Sequence, residues 1–218
     1  MGHDRRGPNP VQPLTEKLWS KQDQHEGDRR RLFAAVAANI DAEQVLYPGS
    51  FVDIAPSFVW PSVTYVDADR RAERFFADEA GVAEIIDAHD PPTADRSVTF
   101  VAGDYTTNLG LMDESFDLLV SLYAGFVSEH CTRYLRVGGM LLVNPSHGDT
   151  AMASIDPRYQ LSQVVIHRNG DYQLRRDDLD TYLVPKKPTE LTPALLHDLG
   201  RGIAYTRPAF AYLFERVR

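Results

Sequence analysis

Two short apolar runs carry the clearest chemical signal in the chain. Val-Leu-Tyr-Pro ends at Gly49, and Val-Thr-Tyr-Val ends at Asp67, 18 residues further on. In a parallel α/β sheet the strands bring their carboxyl ends to one edge, where the turn after the first strand passes close to a ligand and favours a residue without a side chain. A carboxylate at the tip of the next strand can accept hydrogen bonds from both hydroxyls of a ribose. The pair has the makings of a nucleoside site, and its plainer alternative is a tight turn followed by a solvated aspartate.

Other reactive residues fall at the ends of later apolar runs. Residues 97–101 lead into Asp104 and Tyr105, residues 116–120 into Ser121 and Tyr123, and residues 140–143 into Asn144, Ser146 and His147. His147 is the histidine placed nearest the expected edge, as a candidate base or as an ordinary loop residue. Tyr123 is the second catalytic candidate. Asp53 either faces a ligand ammonium or caps a short helix. His130 and Cys131 read as structural positions within a helix.

The elements that must position these residues follow from periodicity. Residues 14–38 carry apolar side chains at helical spacing, and residues 43–47 and 62–66 read as strands. Pro56 and Pro61 limit the crossover between those strands to a turn or two of helix. Residues 69–88 read as two helices broken near Gly81, and residues 126–135 as a helix ending at Gly138-Gly139. The β-α rhythm is read five times. Beyond it lie strand pieces at 160–167 and 172–174 around Asn169-Gly170, a helix at 192–199 and a terminal strand at 210–217. The expected organisation is a disordered tail over 1–12 and a single domain over 13–218, with a helical prelude at 13–42.

Composition narrows the classes. With 218 residues, 43% hydrophobic and 25% charged, the chain can bury a substantial core, and its formal charge of −8 argues against nonspecific nucleic-acid binding. Arg29-Arg30-Arg31 and Arg175-Arg176 read as solvated faces. The lone Cys131 forms no internal disulfide, and no Cys/His set has zinc-site spacing, so no metal is expected. No apolar run suits a signal peptide or a membrane span, which makes a cytoplasmic location the expectation. Oligomeric state is not readable.

Val-Leu-Tyr-Pro-Gly-Ser at 45–50, Val-Thr-Tyr-Val-Asp at 63–67, Phe-Val-Ala-Gly-Asp-Tyr at 100–105, Phe-Asp-Leu-Leu-Val-Ser at 116–121 and Tyr-Leu-Arg-Val-Gly-Gly-Met-Leu-Leu-Val-Asn at 134–144 together resemble the class I S-adenosylmethionine-dependent methyltransferases. The resemblance spans about residues 43–145. It implies a doubly wound, mostly parallel seven-stranded Rossmann-like sheet with helices on both faces and an antiparallel last strand, carrying S-adenosylmethionine on the carboxyl ends of its first half. It also implies residue roles. Tyr47, Gly49 and Ser50 would shape the loop beside the methionine portion. Asp67 would hold the ribose, Asp104 with Tyr105 the adenine, and Ser121 would line the sulfonium side. The sequence departs from the family at Phe51 and Asp53, where the first motif usually has its second and third glycines. With no extra domain to read a macromolecule, a small-molecule acceptor is expected. The alternatives are a binding or scaffold protein that keeps the fold without turnover, and an NAD(P)-dependent oxidoreductase.

Overall fold

Strands rich in Val, Leu, Tyr and Phe form the centre of the molecule because both of their faces are buried. The computed structural model describes residues 11–89 and 96–218. Its eight strands are β1 (Gln44–Pro48), β2 (Ser62–Asp67), β3 (Ser97–Ala102), β4 (Phe116–Ser121), β5 (Leu135–Val143), β6 (Tyr159–Arg168), β7 (Asp171–Arg175) and β8 (Ala211–Arg216). They make one sheet in the order β3-β2-β1-β4-β5-β8-β6-β7. The first five are parallel, and β8 is antiparallel to both β5 and β6. The sheet therefore has eight strands where seven were expected. The Asn169-Gly170 turn, with φ of +54° and +82°, folds β7 back onto β6, and the second arm of that hairpin pairs as a full edge strand.

Side-chain alternation along the strands divides the core into two layers. Val45, Tyr47, Val63, Tyr65, Leu118 and Val120 face one layer. It is covered by α1 (Pro13–Gln22), α2 (Asp28–Ala37), α3 (Arg70–Phe76) and α4 (Glu79–Asp87). Leu46, Val66, Leu119, Leu141 and Val143 face the other, under α5 (Val127–Cys131) and the loops around it. There α6 (Asp149–Ile155) and α7 (Pro193–Leu199) pack around Met152 and Leu196.

Several boundaries differ from the expectation. The prelude is two helices separated by Gly27, whose φ of +73° turns the chain. The break in 69–88 falls at Asp78 rather than Gly81, because the Asp78 carboxylate accepts the Gly81 N–H at 3.2 Å and starts α4 there. Gly138 and Gly139 lie inside β5, where the register with β4 shifts. The β1–β2 crossover is as short as Pro56 and Pro61 predict, and the β-α rhythm fails between β3 and β4. Only a 3-10 turn (Ala55–Phe58) joins β1 to β2, and residues 103–115 join β3 to β4 without a helix. In place of that helix, Leu109 and Leu111 pack against the second layer, and the Tyr134 hydroxyl accepts the Leu109 N–H at 3.0 Å. α6 had no counterpart in the periodicity. The expected disordered tail falls mostly outside the described residues; Val11 packs on the core, and the Gln12 N–H donates to Asp78 at 2.9 Å.

Candidate functional site

The parallel strands deliver Gly49, Asp67, Asp104 and Ser121 to one edge, as the motif spacing requires. Gly49 turns with φ +68° while its N–H donates to the Val66 carbonyl at 2.8 Å, which ties the loop after β1 to β2. Asp67 sits beside it and accepts two backbone N–H groups, that of Phe51 on Oδ2 at 2.7 Å and that of Asp69 on Oδ1 at 2.8 Å. Asp67 pairs in register with Ala102, and its carbonyl accepts the Gly103 N–H at 3.0 Å. Asp104 therefore leaves the neighbouring strand tip, two residues past that pair. The Thr106 N–H and hydroxyl both donate to Asp104 Oδ1, at 2.9 and 2.8 Å, and these bonds hold the carboxyl below the usual range.

Gly49 needs to lack a side chain for a reason internal to the fold. A Cβ there would stand 2.8 Å from Ala124 Cβ and 3.8 Å from the ring of Tyr105. The Tyr105 hydroxyl accepts the Gly125 N–H at 3.0 Å, so Tyr105 and the loop after β4 close together over the end of β1.

Tyr47, Asp53 and Ser50 face inward rather than toward the edge. The Tyr47 hydroxyl donates to Asp53 Oδ2 at 3.2 Å, and Arg29 Nε lies 3.4 Å from the same oxygen. Asp53 Oδ1 also accepts the Ala55 N–H at 3.3 Å. Burial pushes the Asp53 carboxyl above its ordinary value, and the Arg29 charge opposes that push. Asp53 therefore meets a protein guanidinium where a ligand ammonium was expected. Arg29 is correspondingly not the solvated helix-face residue its run of arginines suggested. It also lies over the ring of Tyr123, 4.9 Å from the centroid. The buried Ser50 hydroxyl has no hydrogen-bond partner among the described residues.

Ser121 is turned away as well. Its hydroxyl donates to Asp149 Oδ2 at 2.5 Å, and the backbone N–H and hydroxyl of Ser128 donate to the same carboxylate. Burial pushes Asp149 up to about 6, against the pull of those donors. This carboxylate was visible in the sequence only as the last residue of a polar run. A buried acid held by two serines from other elements leaves no periodic signal.

Asn144 ties the Tyr123 backbone to Ser146 and His147, while the Tyr123 ring lies against Arg29 and apart from the imidazole network. Asn144 Oδ1 accepts the Tyr123 N–H at 3.1 Å and the Ser146 hydroxyl at 3.0 Å, and Ser146 Oγ lies 2.8 Å from His147 Nδ1. With the Ser146 proton directed to Asn144, its oxygen accepts from a protonated Nδ1, which leaves Nε2 as the basic nitrogen. Among the described residues no group of three or more His, Cys, Asp or Glu gathers as a metal site.

A cavity of about 590 Å³ opens above this edge, between α1, α2 and the turns that carry Phe51 and Tyr123. Asp67 and Asp104 are not among its lining residues.

No family model and no curated protein matches the chain. Solved structures resemble it weakly, at low identity and with TM-scores below 0.5. An rRNA methylase from Streptococcus thermophilus is 9% identical over 86% of this chain and 95% of its own, with a TM-score of 0.47. A protein described as an O-methyltransferase from Klebsiella pneumoniae is 15% identical over 76% and 88%, at 0.45. A chain from the complex of the Haloferax volcanii Trm112 methyltransferase activator with a methyltransferase is 15% identical over 93% and 96%, also at 0.45. The chain has a doubly wound, mostly parallel α/β sheet with antiparallel C-terminal strands. Its five parallel strands and the antiparallel β8 seated between β5 and β6 form the sheet that the sequence resemblance implied. Likeness at this distance settles no activity, which rests on the residues alone.

The edge formed by the strand tips fits S-adenosylmethionine in one half. Asp67 and Asp104 present carboxylates from adjoining strand tips, and each retains lone pairs for a hydroxyl or an amine. On the side where a Cβ would stand, Gly49 is closed by Ala124 and Tyr105, which leaves no room there for the methionine half.

Proposed function

We propose that the chain is an S-adenosylmethionine-dependent methyltransferase with a small-molecule acceptor. The observation that carries this reading is the placement of Asp67 and Asp104 on adjoining strand tips beside the Gly49 turn. S-adenosylmethionine supplies an electrophilic methyl carbon on a sulfonium. Asp67 would accept from the ribose hydroxyls, and Asp104, through its second oxygen, from the adenine amine. Because methyl transfer is an in-line displacement, the remaining residues have mainly to orient the acceptor and exclude water. Phe51 and Tyr123 would wall the acceptor space, and His147, the base expected from the sequence, stands outside the lining of that cavity.

A second reading, ligand binding without turnover, is favoured by Ala124 and Tyr105 packed on Gly49. The oxidoreductase reading loses ground: its pyrophosphate needs a helix N-terminus after β1, and a four-residue 3-10 turn stands there.

Calorimetry with S-adenosylhomocysteine, followed by transfer assays with labelled S-adenosylmethionine, separates the readings. Saturable binding with label transfer to a small-molecule fraction supports the enzyme. Binding without transfer supports the second reading, and absence of binding to either compound removes the first.

A further inference from the structure

We propose that the cavity beneath α1 and α2 is a binding site for a small planar anion, an aromatic ring carrying a carboxylate or a phosphate. Two conformational outliers converge on it. Phe51 has φ +48° and Tyr123 has φ +58°, in the left-handed region that bulky side chains rarely occupy, at turns after different strands. Such strain persists where the surrounding structure enforces it and gathers at ligand sites. Both rings line this one cavity, with Phe210 adding a third aromatic wall.

Each strained ring carries a guanidinium. Arg71 lies over Phe51 and Arg29 over Tyr123, both at 4.9 Å from the ring centroid. Each is held by a carboxylate outside the cavity lining, Arg71 by Asp69 at 2.6 Å and Arg29 by Asp53 at 3.4 Å. Arg29 Nη1 is buried with no hydrogen-bond partner, so the guanidinium has donor capacity that the protein does not use.

Lys17 and Lys21, one helical turn apart on α1, add two more positive charges to the lining, and neither forms an ion pair among the described residues. The two acids of the wall are engaged. Asp23 accepts the Gly27 N–H at 2.7 Å, and the Tyr172 hydroxyl donates to Asp28 at 2.9 Å. In a chain of net charge −8 the lining thus sets four permanent cations against the two carboxylates of Asp23 and Asp28 around one aromatic hollow, a local excess of positive groups on the wall. A volume of about 590 Å³ admits a substituted ring with its anionic group.

Under the proposed function this cavity would hold the methyl acceptor. Binding needs no transfer, however, and the test is run without cofactor so that either claim can fail alone. The full chain is titrated calorimetrically with benzoate and phenyl phosphate, and in parallel with benzyl alcohol, benzylamine and inorganic phosphate. Binding of an aryl anion at least tenfold tighter than benzyl alcohol and than inorganic phosphate is expected. Lys17→Gln/Lys21→Gln should weaken that binding several-fold, and Tyr123→Gly should weaken it without lowering Tm. Equal binding of the neutral ring, equal binding of bare phosphate, no binding of either aryl anion, or indifference to both variants would overturn the proposal.

Discussion

Asp67 has two tasks at one point. Its oxygens hold the loop after β1 through the Phe51 N–H and anchor the entry to α3 through the Asp69 N–H. Under the proposed function the same carboxylate meets the ribose. Asp67→Ala should therefore lower affinity for S-adenosylhomocysteine by about 1.5 to 3 kcal/mol, the usual worth of hydrogen bonds to a charged group. Asp67→Asn, which keeps one acceptor for the loop, should recover part of the folding stability and less of the affinity. Calorimetry beside thermal melts reads the two apart, and unchanged affinity in the alanine variant would remove Asp67 from the site. Ala124 offers a test of opposite sign. Ala124→Gly removes a methyl from the contact that closes Gly49, about 0.8 kcal/mol of packing, and should tighten cofactor binding by about fourfold. Weaker binding in that variant would show that the loop supports the ligand instead of excluding it.

At the scale of elements, the Asp149 carboxylate joins the tip of β4 through Ser121 to α5 through Ser128, from its own place at the start of α6. Its folded value of about 6 lies above the ordinary carboxyl value of 3.8, so between those values the folded state binds the extra proton. Stability from this group is fully present below about pH 4 and declines as pH rises through 6, by about 2 to 3 kcal/mol. Asp149→Asn should remove that part of the pH dependence. The difference in urea stability between wild type and variant should shift between pH 4.5 and pH 7, and a constant difference would refute the assignment. This network also marks the limit of what sequence patterning reveals. β1 to β5 were legible because buried parallel strands are continuous β-branched and aromatic runs, and Gly49 and Asp67 were legible because they end such runs. The Tyr47, Asp53 and Arg29 cluster was not, since it joins residues of α2 and β1 whose contact depends on the packing of a helix against the sheet. The β6–β7 hairpin was legible from Asn169-Gly170 between two strand pieces, and only the count of seven strands, taken from the resemblance, fell short of the eight present.

For the molecule as a whole, the deciding arrangement is the place of β8. It lies between β5 and β6, with Leu213 opposite Leu142 on one side and Gln163 on the other, fully buried. Leu213→Ala should cost about 2 to 5 kcal/mol in denaturant unfolding, as large-to-small changes in a packed core do. A loss below 1 kcal/mol would mean that β8 contributes little to holding the two halves of the sheet together. The same arrangement has a consequence during synthesis. The flank of β5 that β8 will occupy is complete at Val143, yet its partner begins at Ala211. While the intervening residues leave the ribosome, a nascent chain carries a bare, apolar strand flank that any other extended segment can pair with, so this protein should depend on chaperones more than its modest size would indicate.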